Sequence, residues 1–205
     1  MSTANLNLYV VDDDEAVRRS LGMLLLSRGH AVQTFDSGEA FLASAKLQDG
    51  GCVILDLRMD GMSGLQVFDQ LRAAASPLVV LFLSGNGDIS TAVDAVQRGA
   101  FGWLEKPCSE DIFLEKVKLA LARAAVVGAT AGARQKALAL WDRLTEREQE
   151  VTRRVANGDS NKEIARTLSP PCEPRTVETH RAKAYAKLGL STPTELDRFI
   201  RDHGL

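Results

Sequence analysis

Three cysteines in 205 residues, Cys52, Cys108 and Cys172, are too few, too scattered and odd in number for a disulfide framework, and they offer no metal cluster. Aromatic residues make up only 5% of the chain, so Ala, Val and Leu must fill most of its core. The longest apolar run, Pro77–Leu83, is far short of the roughly twenty residues a membrane-spanning helix needs. Near the N-terminus, Asp12-Asp13-Asp14-Glu15 stands where a secretory signal would need a basic flank and an apolar stretch. These absences point to a soluble, cytoplasmic chain with no membrane partner. What is present suffices for a packed core: 45% hydrophobic and 25% charged residues. The length suits one large domain or two small ones.

The net charge of −2 conceals an asymmetry. Residues 1–133 carry 11 Lys and Arg against 16 Asp and Glu, a net of −5; residues 134–205 carry 14 against 11, a net of +3. One acidic module and one facing nucleic acid would give this split, although solvated faces alone also can.

The first half alternates two kinds of segment. Short apolar runs occur at Leu6–Val11, Ala31–Phe35, Cys52–Leu55, Leu78–Leu83 and Phe101–Leu104. Helical spacing fills Asp14–Ser27, Gly38–Lys46, Gly64–Ala74, Ser90–Arg98 and Glu110–Arg123. Runs as wholly apolar as Val53-Ile54-Leu55 suit strands covered on both faces, as in a parallel sheet. The expected architecture is a doubly wound α/β fold with five parallel strands and helices on both sides. Ligands bind such sheets beyond the carboxyl ends of the strands.

Those ends carry Asp12 and Asp13, then Asp56, Ser84 and Lys106. Acidic residues favour loops in any case, but here three carboxylates, a hydroxyl and an ammonium converge on one rim. Clustered carboxylates repel unless a cation lies among them. Hard oxygen donors too few to fill a coordination shell suit Mg²⁺, which keeps waters and accepts phosphate oxygens. A carboxylate beside Mg²⁺ can attack a phosphoryl group. Lys106 would neutralise charge on that group and Ser84 would hydrogen-bond one of its oxygens. Lys106-Pro107 is a candidate cis peptide.

Residues 124–143 change character: Ala124–Ala133 is uncharged Ala, Gly, Val and Thr, followed by helical spacing over Arg134–Arg143. We read a partly helical linker there, between a domain at 1–123 and another at 144–205. The second domain has no strand-like run. Thr145-Glu146-Arg147-Glu148, Ser160-Asn161-Lys162-Glu163 and Thr192-Pro193-Thr194-Glu195 are capping boxes. Glu173-Pro174 starts a further helix and Gly189 ends it. Four short helices are predicted, at 145–156, 160–168, 174–188 and 193–203.

Val10-Val11-Asp12-Asp13-Asp14-Glu15, Ile54-Leu55-Asp56-Leu57-Arg58-Met59 with Met62-Ser63-Gly64, Ser84-Gly85 and Glu105-Lys106-Pro107 resemble a two-component receiver domain, which has a flavodoxin-like fold, over residues 4–125. The resemblance implies that Asp56 is the phosphoacceptor. It also implies that Asp12, Asp13, Asp56 and the Arg58 main-chain carbonyl hold Mg²⁺ or another divalent cation. Ser84 and Trp103 take the switch positions and Lys106 that of the phosphate-sensing lysine. A switch at Trp103 would bias the surface of the fourth helix, fifth strand and fifth helix, the expected homodimer face. Receivers usually carry Pro where this chain has Asp60, which reads either as a solvent-facing loop residue or as an added charge affecting phosphorylation or metal affinity. Cys108 replaces a bulkier residue and reads as packing.

Four capped helices could form any small bundle. However, Leu144-Thr145-Glu146-Arg147-Glu148-Gln149-Glu150-Val151, Ser160-Asn161-Lys162-Glu163-Ile164-Ala165 and Arg175-Thr176-Val177-Glu178-Thr179-His180-Arg181 resemble the LuxR-type helix-turn-helix of NarL/FixJ regulators. In that arrangement Val177, Ala184 and Leu188 pack on Ile164, Ala165 and Leu168. Glu178, Thr179 and Ala182 then face the major groove. Asn161, Lys162, Arg175, Thr176, His180, Arg181 and Lys183 flank them and chiefly contact phosphates. Glu178 could accept from a cytosine amino group and Thr179 could touch a thymine methyl. The turn Ser169–Pro174 is two residues longer than the family's usual connection. It either presents the recognition helix stiffly, through its three prolines, tilts it, or itself touches DNA.

The expected function is that of a response regulator. A sensor histidine kinase phosphorylates Asp56, the receiver dimerises, and the helical domain binds promoter DNA, with RNA polymerase a further candidate partner. Apart from phosphorylation and dephosphorylation of Asp56, no enzyme activity is expected. Two readings compete: a receiver that dimerises constitutively without phosphate, and an interaction module whose lengthened turn no longer binds DNA.

Overall fold

The computed structural model describes residues 6–85 and 89–205, so the first residues of the expected 1–123 domain lie outside the described residues. Its elements alternate: β1 (Asn7–Val11), α1 (Glu15–Ser27), β2 (Gln33–Phe35), α2 (Gly38–Ser44), β3 (Gly51–Leu55), α3 (Gly64–Ala73), β4 (Leu78–Ser84), α4 (Ile89–Gln97), β5 (Gly102–Glu105) and α5 (Glu110–Trp141). All paired strands are parallel, in the order β2-β1-β3-β4-β5. This is the doubly wound, flavodoxin-like sheet that the sequence predicts.

Every residue of β3 and β4 is buried, because helices cover both faces. Side chains alternate along each strand, and the register puts Tyr9, Val53 and Val80 side by side. Tyr9, Val11, Val53, Leu55, Val80 and Phe82 pack with Phe41 of α2, Val67, Phe68 and Leu71 of α3 and Ala95 of α4. Leu8, Val10, Cys52, Ile54, Val79, Leu81 and Leu83 pack on the other face with Leu25 of α1 and Phe113, Val117 and Ala120 of α5. Each fully buried Leu, Ile or Phe contributes about 1.5–3 kcal/mol. β2 is an edge strand with Gln33 and Thr34 exposed, and it starts two residues later than its apolar pattern predicts.

The chain divides into two compact units between Ala131 and Gly132, within α5. Residues 124–141 of the expected linker stretch are continuous helix. In the first unit α5 runs past the loop before β3 at two glycines: a Cβ on Gly50 would lie 3.0 Å from the Gly128 Cα.

The second unit holds α6 (Glu146–Ala156), α7 (Asn161–Thr167), α8 (Pro174–Leu188) and α9 (Pro193–His203). The capping boxes at Thr145, Ser160 and Thr192 are all formed, and each cap contributes about 1 kcal/mol. α8 starts with Pro174 in its first turn, and Gly189 ends it at a φ of 70°. Trp141, Leu144, Val151, Ile164, Leu168, Val177, Leu188 and Leu196 form the core.

Glu148 does two jobs. Its Oε2 accepts the Thr145 N–H (2.9 Å), closing the capping box, and Lys187 Nζ of α8 donates to it at 2.6 Å. Burial pushes the Glu148 carboxyl up, but the Lys187 ammonium and Thr145 outweigh it and hold the group below the usual carboxylate range. A depressed carboxylate pKa means stability that is present above the unfolded value, near 4.5, and lost as pH falls through the lower folded one. Lys187→Met therefore lowers the stability of this unit by about 1–2 kcal/mol at neutral pH, a loss moderated because Lys187 is partly in water. The difference from wild type shrinks in urea unfolding as pH drops below about 4.5.

Candidate functional site

Residues just past β1 and β3 become neighbours because Val11 and Leu55 are in register. The Asp56 N–H donates to the Val11 carbonyl at 2.8 Å, extending the ladder by one residue. Both carboxylates that follow are buried, Asp12 at 2% exposure and Asp56 at 5%. Between them lies one cation. Lys106 Nζ donates to Asp12 Oδ2 (2.5 Å) and to Asp56 Oδ1 (2.9 Å). The remaining oxygens also accept: Asp12 Oδ1 from the Asp14 N–H (3.0 Å) and Asp56 Oδ2 from the Arg58 N–H (2.9 Å).

Two buried carboxylates share one ammonium, which sets their electrostatics. Burial raises the Asp56 carboxyl above its usual range, and the Asp12 charge adds to this while Lys106 opposes it. For Lys106, burial favours the neutral amine, but the two carboxylates outweigh it and its pKa is raised. The ammonium is thus charged at neutral pH.

Ser84 ends β4 and is 1% exposed. Its carbonyl accepts the Lys106 N–H at 2.8 Å, which ties the end of β4 to the residue carrying the cation. The Lys106–Pro107 peptide is cis, as the sequence suggests. Trp103, half-buried on β5, packs its ring 5.9 Å from that of Phe82. Cys108 is half-buried and packs against the core cluster that includes Leu8, Leu25 and Phe113.

Asp13 behaves differently from its two partners. It is exposed, and its Oδ2 accepts the N–H of Asp60 in the β3–α3 loop at 3.0 Å. With Asp13 turned to that loop and Lys106 between Asp12 and Asp56, no three acidic, His or Cys groups among the described residues stand close enough to hold a metal ion. Glu39 of α2 holds the same loop, its Oε1 accepting the Met62 N–H at 3.0 Å. These two contacts span 47 and 23 residues of sequence, and no local pattern signals them.

Behind the site Gly64 opens α3, and a Cβ there would lie 2.1 Å from the Asp56 carbonyl oxygen. The atoms it would meet, in Asp56 and Leu57, are all backbone and cannot yield cheaply. Gly64→Ala should destabilise the first unit by about 3 kcal/mol, read as a lower urea midpoint, because the end of β3 and the start of α3 must part.

In the second unit α8 buries Val177, Ala184 and Leu188 against Ile164, Ala165 and Leu168, as its spacing predicts. Arg175, Thr176, Glu178, Thr179, Ala182 and Lys183 are exposed, as is Lys162 of α7, whereas Asn161, His180 and Arg181 are half-buried. Arg175, Thr176, Thr179, His180 and Lys183 line one open depression of about 610 Å³ together with Glu173. Asn161 Nδ2 donates to Glu178 Oε1 at 3.4 Å, bracing the two helices. The Arg181 guanidinium lies 5.3 Å from the Tyr185 ring, folded onto its own helix. His180 turns Nδ1 inward, where it has no hydrogen-bond partner.

The long turn is fastened rather than loose. Arg147 of α6 donates to the carbonyls of Ser169 (3.3 Å) and Pro170 (2.6 Å), and the Cys172 N–H donates to the Ala165 carbonyl at 3.0 Å. Arg147 belongs to the motif already quoted, but the sequence carries no signal that it anchors this turn.

Comparison with known proteins agrees with the geometry. Residues 8–118 match the response regulator receiver domain, and residues 142–200 match the luxR family of bacterial regulatory proteins. The chain is 38% identical to the transcriptional regulatory protein FixJ of Azorhizobium caulinodans over 95% of its length and 91% of that protein's. It is 39% identical to the tetrathionate response regulatory protein TtrR of Salmonella typhimurium, over 93% of this chain and 90% of that one. The solved structure of the response regulator StyR superposes with a TM-score of 0.77 at 34% identity, covering 97% of this chain and 99% of that one. With a buried carboxylate pair bridged by lysine at the rim of one unit and a helix-turn-helix in the other, the chain belongs to the NarL/FixJ family of response regulators, transcription-regulating proteins that join a receiver domain to a LuxR-type DNA-binding domain.

Proposed function

We propose that Asp56 accepts a phosphoryl group from a sensor histidine kinase, and that the phosphorylated chain pairs with a second copy and binds promoter DNA. The observation that carries this reading is the Asp12–Lys106–Asp56 bridge at the carboxyl edge of the sheet. In the proposed transfer an Asp56 carboxylate oxygen attacks phosphorus, the phosphorus–nitrogen bond to the kinase histidine breaks, and the leaving imidazole takes up a proton. Lys106 moves from its carboxylate partners to the new phosphoryl oxygens, and the Ser84 hydroxyl donates to one of them.

The donor set suits a divalent cation. Asp12 and Asp56 are hard oxygen ligands, and the pair with Lys106 keeps one uncompensated negative charge before Asp13 is counted. Asp12, Asp13, Asp56 and the Arg58 carbonyl would hold it, and when bound Mg²⁺ would screen the approach of an anionic phosphoryl donor. Trp103 is proposed to follow Ser84 and alter the α4–β5–α5 surface, where Val93, Val96, Ile112 and Leu119 are exposed. That surface is the proposed dimer face. On the second unit, Thr179 and Ala182 are proposed to meet base edges, with Lys162, Arg175 and Lys183 on phosphates. The pairing of Glu178 with Asn161 weighs against it as a reader of bases, and the folding of Arg181 onto Tyr185 weighs against it as a phosphate contact.

The test is to supply acetyl phosphate with MgCl2 to the full chain, locate the acid-stable, base-labile adduct by mass spectrometry, and follow self-association by sedimentation. An adduct elsewhere than Asp56, or none, refutes the reading.

A further inference from the structure

The contact between Asp13 and the β3–α3 loop is made by a backbone amide, and it involves one of the carboxylates assigned above to the cation. Asp13 Oδ2 accepts the Asp60 N–H at 3.0 Å, and Asp13 does not converge with Asp12 and Asp56. A carboxylate held by a charge-assisted hydrogen bond on one side must give up that bond, or share it, to turn toward an ion on the other. The loop is built so that this can happen locally. Glu39 holds the Met62 N–H on the far side of Gly61, whose φ of +80° makes it the natural pivot. The Asp60 amide can therefore turn from Asp13 at Gly61 while Leu57 and Met59 stay packed in the core and the start of α3 stays anchored.

We propose that the Asp60 N–H is a latch on Asp13: it holds this carboxylate against the loop in the cation-free protein, and cation binding exchanges it for the metal. The proposal rests on the reading of Asp12, Asp13 and Asp56 as the cation site. It also gives Asp60 a part distinct from its charge, since only a residue with an N–H can make the contact. Proline, which receivers usually carry here, cannot. The latch lowers cation affinity and couples the ion to the position of the loop that bears the Arg58 carbonyl.

Two variants separate amide from charge. Asp60→Asn removes the carboxylate and keeps the N–H; Asp60→Pro removes both. Titration of each full-length protein with MgCl2, followed by isothermal calorimetry, should show Asp60→Pro binding about three- to tenfold more tightly than Asp60→Asn, the effect of one exposed charge-assisted hydrogen bond. Equal affinities, or weaker binding by Asp60→Pro, overturn the latch. In case Asp60→Pro does not fold, the wild-type protein supplies a second readout. In its proton–nitrogen NMR spectrum the Asp60 amide should move upfield on saturation with MgCl2 as its carboxylate acceptor leaves; an unmoved amide overturns the latch. Wild-type protein that binds no Mg²⁺ overturns the cation reading and the latch with it. Wild-type protein that binds Mg²⁺ while the two variants agree overturns the latch alone.

Discussion

Asp56→Asn should abolish the response to a phosphodonor: with acetyl phosphate and MgCl2 the variant is expected to gain no adduct, and its self-association and promoter occupancy to stay at their resting values. The substitution is nearly isosteric, but a carboxamide oxygen is too weak a nucleophile to accept the phosphoryl group. Loss of fold does not explain the result, and a stability measurement separates the two. Burial holds the Asp56 carboxyl above its usual range, so its charged form costs the folded state free energy at neutral pH. A neutral Asn relieves that cost, and the variant should melt at the same temperature as wild type or higher. The sign follows from the raised pKa. The relief is fully present above the folded pKa of Asp56 and vanishes below its unfolded value near 3.8. A variant that unfolds, or an adduct that persists on another residue, contradicts the assignment of Asp56.

DNA binding should collapse as salt rises, and the collapse should steepen once the chain is phosphorylated. Lys162, Arg175 and Lys183 are exposed on or beside the outward face of α8. Three such cations in each of two paired copies give about six phosphate contacts, so raising salt fourfold weakens binding on the order of 10³-fold. A lone copy has half the contacts and half the logarithmic slope. Pairing also raises affinity without new contacts by fixing the second helix near its half-site, an effect of about 10²-fold or more. The measurement is a fluorescence-anisotropy titration of promoter DNA from 50 to 200 mM salt, with and without beryllofluoride. A slope near zero would make the helical unit an interaction module instead. Equal slopes in both states would mean that pairing does not depend on Asp56.

The two units were legible to different depths. In the first, Val53-Ile54-Leu55 and Val79-Val80-Leu81-Phe82 announce buried parallel strands, because a strand covered on both faces has no polar alternation to blur its pattern. β2 begins later than its pattern, since Gln33 and Thr34 lie at an exposed edge. Residues 124–141 are uninterrupted helix despite their Gly and Thr, with Ala124 buried beneath the sheet and Trp141 in the core of the second unit. Alanine, the strongest helix former, recurs through that stretch and outweighs its Gly and Thr. In the second unit the three capping boxes are local, each written within four residues, and all three form as read.

The strand ends, the helix starts and the apolar face of α8 can be read along the chain, as consequences of periodicity and of hydrogen bonds between near neighbours. That Lys106 bridges Asp12 and Asp56, that Asp13 turns to the Asp60 amide, and that Arg147 secures the long turn emerges once the chain is folded. A charged side chain takes whichever partner the fold brings within about 3 Å, and that choice is made by strand register and helix packing across distances in sequence that no local pattern encodes.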